Sequence, residues 1–146
     1  MNVLTTTLRI ILGDVFVFAF KAQSYHWNVK GFNFSELHRF FGEIYADTSA
    51  QVDTLAEYLR IEGELAPKSL IELYSAATIK EDEFIPGTSR EMITNLIANN
   101  AVVISGLNTL FEVATDHNAQ GIVDYVAGRL DAHKKLQWML KSHLEQ

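Results

Sequence analysis

The chain has 146 residues, with 12 Lys+Arg against 18 Asp+Glu, five His, no Cys and two Pro, and a formal net charge of −6. That length makes one domain whose core needs no covalent staple, and zero cysteines exclude thiol catalysis, Fe–S clusters and Cys-type zinc sites. The acidic balance weighs against a surface that broadly attracts nucleic acid or anionic lipid, and a hydrophobic share of 48% excludes a disordered chain.

The first apolar run, Val15 to Phe20, lies between Asp14 and Lys21. A membrane span needs about 20 nearly uncharged residues, so this run reads as too short to cross a bilayer and as part of a buried helix. The first basic residue, Arg9, already falls inside the apolar region, which does not match a secretory signal, and a cytoplasmic protein is expected. Gly31-Phe32-Asn33-Phe34 is a turn; Asn33 or Ser35 can cap the next helix, with Glu36 as a capping-box partner. Leu37, Phe40, Phe41, Ile44, Val52, Leu55, Tyr58 and Leu59 recur at helical spacing, so that helix should run from about residue 35 to Gly63, roughly 40 Å. Between Pro67 and Pro86, Ser69 to Tyr74 suits a short helix and Glu81-Asp82-Glu83 a loop. Thr88-Ser89-Arg90-Glu91 is a capping box opening a third long helix, with Ile93, Leu96, Ile97, Val103, Leu107, Leu110 and Ala114 on its face; Asp116-His117-Asn118 ends it. The fourth runs from about Gln120 to His143, with Ile122, Val126, Leu130, Gln137, Leu140 and Leu144 in one stripe. Residues 1–146 thus read as a single all-α domain. Four long helices and a short one in the long middle connection fit a ferritin-like four-helix bundle.

Nucleophile elbows and Gly-rich phosphate loops are absent from the sequence. Bundles that hold two metals internally use Glu-x-x-His on one helix. The residues three before each His are Gln23, Ser35, Ala114, Leu130 and Leu140, none of them acidic. A different grouping is available. His26 and His38 flank the Gly31–Phe34 turn almost symmetrically, so an antiparallel helix pair folded there sets the imidazoles side by side. Asp53 and Glu57 are i, i+4 and share a face, but His38 and Asp53 lie about 22 Å apart along one helix. Two copies of the second helix, packed antiparallel about a two-fold axis, would bring His38 of one to Asp53 and Glu57 of the other. They would cross near residue 46, where Ala46, Thr48, Ser49 and Ala50 are small. Imidazoles with carboxylates suit iron, with Mn or Zn as competitors. Each group also has an ordinary explanation, a packed helical histidine or a solvated acidic face. Trp27 reads as a core residue, and His117, His133 and His143 as structural.

At these positions the chain closely resembles the Dps family of mini-ferritins. The resemblance is carried by His26-Trp27-Asn28-Val29-Lys30-Gly31, by Phe34-x-x-Leu37-His38, by Asp53-x-Leu55-Ala56-Glu57, and by the stretch from Arg129 to Leu140. It implies a dodecameric hollow shell with ferroxidase sites between two-fold-related subunits. Such sites oxidise Fe(II), usually with hydrogen peroxide, otherwise with oxygen, and the shell stores Fe(III) mineral. By position, His26 and His38 would come from one subunit and Asp53 and Glu57 from its partner, with Trp27 beside the site. One departure stands out. The family usually carries Asp or Glu four residues after the second His, and here that residue is Gly42, which leaves a structural shell with an impaired centre as an alternative. DNA binding, common in the family through basic tails, is not expected: Met1 to Leu8 holds no basic residue, and the sequence ends at Glu145-Gln146. The family's three-fold pore would fall near Asp116, Asp124 and Asp131, the last two seven apart on one helical face.

Overall fold

Asn2 opens the first helix, α1 (Val3–Asn28): its side chain accepts from the Thr5 N–H while the Thr5 hydroxyl accepts from the Asn2 N–H, a reciprocal cap. The computed structural model describes residues 1–144; Glu145 and Gln146, which entered the reading of the C-terminal tail, lie outside the described residues. Four further helices follow: α2 (Phe34–Ile61), α3 (Leu70–Ser75), α4 (Ser89–Asp116) and α5 (Gln120–Ser142). No strand forms among the described residues, and the four long helices make the expected bundle with α3 in the middle connection.

α1 is the central element. Leu4, Leu8, Ile11, Leu12, Val15, Phe18, Ala22 and Tyr25 are all buried, packed against α2, α3 and α4. Each such Leu or Phe contributes about 1.5–3 kcal/mol by leaving water. By length and composition alone α1 and α4 could each cross a bilayer, so the apolar run is not too short once its whole helix is counted. In α1 that apolar surface is spent on the chain's own core, and of its three charged side chains Asp14 and Lys21 are buried on protein partners while Arg9 is half-buried.

Those two charges fix the middle connection. Asp14 accepts from the Thr78 N–H, the Thr78 hydroxyl and the Ile79 N–H, at 2.6, 2.7 and 2.8 Å. At the preceding residue, Gly13 lets α3 approach: a Cβ there would stand 2.8 Å from the Leu73 carbonyl oxygen. Lys21 bridges Asp82 and Asn99, and the Tyr25 hydroxyl donates to Asp82 while accepting from Asn95. Burial, then the Asp82 carboxylate, push the Tyr25 phenol well up from its ordinary value. The connection is therefore pinned to α1 between Leu73 and Asp82.

The helix ends follow the sequence with two corrections. Asn33 is the N-cap of α2, but no side-chain cap forms there, and Glu36 reaches instead to His143, 3.4 Å away. At α4, Thr88 caps the Glu91 N–H as expected, yet the Glu91 carboxylate accepts from Gly87 rather than Thr88. α2 stops at Ile61, two residues before Gly63. Gly63 has φ +91 and closes the helix with the Gly63 N–H on Arg60 and the Glu64 N–H on Leu59. Asn118, at φ 55, does the same for α4, with the Ala119 N–H on the Ala114 carbonyl.

Candidate metal centre

His26 lies in the last turn of α1 and His38 in the second turn of α2, and the tight connection between them stacks the two rings. Their centroids are 3.9 Å apart at an interplanar angle of 12°, and Phe34 also stacks on His38 at 5.1 Å. The pair is cross-tied. His38 Nδ1 lies 2.6 Å from the His26 carbonyl oxygen, and His26 Nδ1 lies 2.5 Å from the His38 carbonyl oxygen. A carbonyl only accepts, so each Nδ1 must carry the proton, and each neutral ring keeps its lone pair on Nε2. The His26 carbonyl belongs to a helix end, where acceptors lack intrahelical donors, so this bond satisfies the backbone as well. A ring held through Nδ1–H with Nε2 left as donor atom is the usual second-sphere arrangement of a metal-ligating histidine.

The pair opens on a shallow groove of about 550 Å³ bordered by Gln23, Trp27, Gly42 and Glu43. Trp27 is not a core residue. It is 58% exposed and meets Phe20 edge-on at 6.3 Å, on the outward side of α1, while Tyr25 and Val29 on either side of it stay buried in the core. At Gly42 an added Cβ would stand 2.8 Å from His26 Nδ1 and 2.9 Å from Cε1, so the imidazole already fills the space beside the helix. Glu43 borders the groove, but among the described residues no three His, Asp or Glu side chains of one chain come together as a metal cage.

Asp53 and Glu57 are exposed on α2, with the long helix between them and the histidine pair. Ala46 and Ala50 are exposed on the stretch between, as a close crossing requires. Thr48 is not: it is fully buried in the chain's own core, its hydroxyl on the Ile44 carbonyl, and so leaves the set of small outward residues. Asp116 ends α4, and Asp124 and Asp131 lie along α5, all three exposed.

The other histidines do different work. His117 is exposed and bonded to Val113, while His143 stacks on Phe40 and faces Glu36. His133 is 2% exposed and joins a network that the sequence does not announce. Its Nδ1 donates to Asn100 Oδ1 at 2.7 Å, and its Nε2 accepts from Arg129, which also grips Asp47 on α2 through two nitrogens. Burial, then the Arg129 charge, lower the His133 imidazole to about 4. A second pocket, about 530 Å³ and mostly apolar, lies between α1 and the middle connection, where Phe20, Leu70, Ile71 and Ile85 are exposed.

The comparisons with known proteins agree with this fold. The ferritin-like domain family matches residues 6–146. The DNA protection during starvation protein of Brevibacillus brevis is 30% identical over 125 residues, covering 86% of this chain and 83% of that one. The Dps of Thermosynechococcus elongatus superposes with a TM-score of 0.94 at 26% identity, over 98% of this chain and 90% of that one. The Dps of Vibrio cholerae, described as a member of a broad superfamily of ferritin-like diiron-carboxylate proteins, superposes with a TM-score of 0.92 at 28% identity, over 97% and 89%.

Proposed function

This chain belongs to the Dps proteins of the ferritin-like family, and on that premise we propose that it oxidises Fe(II) with hydrogen peroxide at sites shared between two-fold-related subunits and stores the Fe(III) inside a hollow dodecamer. The observation that carries the reading is the cross-tied His26/His38 pair, two oriented nitrogen donors facing an open groove, where among the described residues no three ligand-type side chains of one chain form a complete set. Asp53 and Glu57 of the partner complete it across an antiparallel crossing of two α2 helices at Ala46 and Ala50. The exposed Phe20, Leu70, Ile71 and Ile85 add apolar surface for burial between copies.

Iron is the substrate. His26 and His38 bind it through Nε2, the partner's carboxylates balance its charge, and two Fe(II) each give up one electron. The O–O bond of peroxide takes those two electrons with two protons and leaves as two waters, so no hydroxyl radical is released. The acidic chain, at −6 a copy, draws the cation toward the shell, and the work is cytoplasmic.

A mixed-oligomer experiment tests both the activity and the shared site. His38→Ala and Asp53→Ala chains, refolded together, are given Fe(II) anaerobically and then peroxide, and Fe(III) absorbance is followed against a protein-free blank. Neither variant alone should beat the blank, whereas the mixture should recover part of the wild-type rate, because some interfaces pair two intact halves. A wild-type protein no faster than the blank removes the ferroxidase reading, and well-mixed oligomers without recovery remove the shared site.

A further inference from the structure

Gly42 stands where the family usually carries an acidic residue, and its simplest interpretation is a lost ligand. The geometry points to a different role. We infer that Gly42 is a positioning residue, and that the missing side chain is what allows the His26 imidazole to lie against α2 and lock both histidines as Nε2 donors. The inference rests on the metal-centre reading only for its functional consequence, since the packing claim concerns the chain's own atoms.

Three observations converge. The ring atoms of His26, not backbone, would meet a Cβ at residue 42, at 2.8 and 2.9 Å, closer than such carbons approach in folded proteins. The same ring nitrogen makes the 2.5 Å contact to the His38 carbonyl, one helical turn before Gly42 and the acceptor of the Gly42 N–H in α-helical geometry. The His26 ring stacks on His38 with centroids 3.9 Å apart, and Phe34 also stacks on His38 at 5.1 Å, so the ring is held by packing as well as by its hydrogen bond. A glycine inside an otherwise unbroken helix is disfavoured relative to alanine, and close approach of another group is the usual reason for one. Any side chain at residue 42, a carboxylate included, would therefore push His26 off the His38 carbonyl and free its tautomer. In this chain a carboxylate at residue 42 and the cross-tied imidazole pair exclude each other, and the centre is built on two fixed nitrogens in place of a same-chain oxygen.

The test separates a lost ligand from a positioning residue. Metal-free protein with 15N-labelled histidines, examined by solid-state NMR with His26→Gln and His38→Gln for assignment, should show both rings protonated at Nδ1 and bare at Nε2. Gly42→Ala should lose that signature for His26 while helix content stays unchanged, because the ring yields and the backbone does not. Equilibrium binding of Zn(II), a redox-inert probe, should weaken by about 10- to 100-fold in Gly42→Ala, the range seen when a ligand histidine loses its outer partner. Gly42→Asp should not bind Zn(II) more tightly than wild type. A wild-type His26 protonated at Nε2, an unchanged His26 signal in Gly42→Ala, or tighter Zn(II) binding by Gly42→Asp would each overturn the inference. Wild-type protein with the expected NMR signature but Zn(II) binding indifferent to His26→Gln and His38→Gln would sink the metal-centre reading and leave the packing claim standing.

Discussion

Asp14 shows how much one side chain carries in this fold. It is 3% exposed, and its two oxygens collect three donors from Thr78 and Ile79, which holds the middle connection onto α1 without a cation in contact. Removing the acceptor strands the buried Ile79 N–H, at a cost of about 1–3 kcal/mol, and leaves the partly buried Thr78 N–H and hydroxyl without their partner. Asp14→Ala should therefore lower the unfolding free energy by about 3 kcal/mol, and Thr78→Ala, which takes the hydroxyl donor from Oδ2 but leaves both N–H bonds to Oδ1, by about half as much. Denaturant titrations at one fixed protein concentration read the difference, and equal losses in the two variants would mean that the carboxylate is not the anchor. The candidate centre was readable at this scale only where local geometry decides. His26 and His38 face each other because a short turn separates them, and Asp53 with Glu57 share a face because they are one helical turn apart. Gly42 could have been noticed as a glycine inside an uninterrupted helical pattern, but its contact with His26 crosses between two helices. Trp27 looked apolar enough for the core; its neighbours run that way, yet it lies on the outward side of α1.

At the scale of elements, the helices follow from apolar periodicity, and their C-terminal stops from Gly63 and Asn118, residues that tolerate positive φ. What periodicity cannot show is which residues of a stripe are polar for a reason. His133 occupies the core position one heptad after Val126, and its partners Asn100, Arg129 and Asp47 belong to α4, α5 and α2. Thr48 went the other way, a small residue assigned to the outer face that rotates into the core of its own bundle. The His133 network makes a pH prediction. The ring is kept neutral in the fold, with its imidazole lowered from 6.5 to about 4 by burial and by Arg129, while Asp47 pulls weakly in the opposite sense. Below the unfolded value the unfolded chain binds a proton that the native chain refuses, so stability falls as pH drops from about 6.5 toward 4 and levels off below that. The full loss is on the order of 3–4 kcal/mol, at about 1.4 kcal/mol per pH unit over about 2.5 units. His133→Gln should flatten this part of the profile, leaving the carboxylate contributions. Urea midpoints at pH 7 and 4.5 give the comparison, and a slope unchanged by the substitution would show that the ring is not buried neutral.

At the scale of the whole molecule, the proposed shell would give the chain's net charge and exposed surfaces a use. The histidine pair and the Asp53/Glu57 pair sit too far apart on α2 to serve one another, and twelve copies at −6 would surround the interior with negative potential. A closed shell also needs an entrance for Fe(II). Asp116 lies at the C-terminal end of α4, where the helix dipole already disfavours an anion, and Asp124 and Asp131 are exposed on one face of α5. None of the three forms an ion pair among the described residues, so their charge is not used inside the chain. A ring of such carboxylates around a symmetry axis would raise the local Fe(II) concentration and so the rate of entry, with no effect on the equilibrium at a separate site. Asp124→Asn with Asp131→Asn should slow Fe(III) deposition several-fold while leaving Zn(II) affinity at the histidine pair unchanged. The wild-type rate should fall as ionic strength rises toward 0.5 M, where screening shortens to about 4–5 Å, and the variant's rate should depend less on salt. Stopped-flow absorbance at several salt concentrations reads both effects together. A double variant that fills at the wild-type rate with the same salt dependence would move the entrance away from these aspartates.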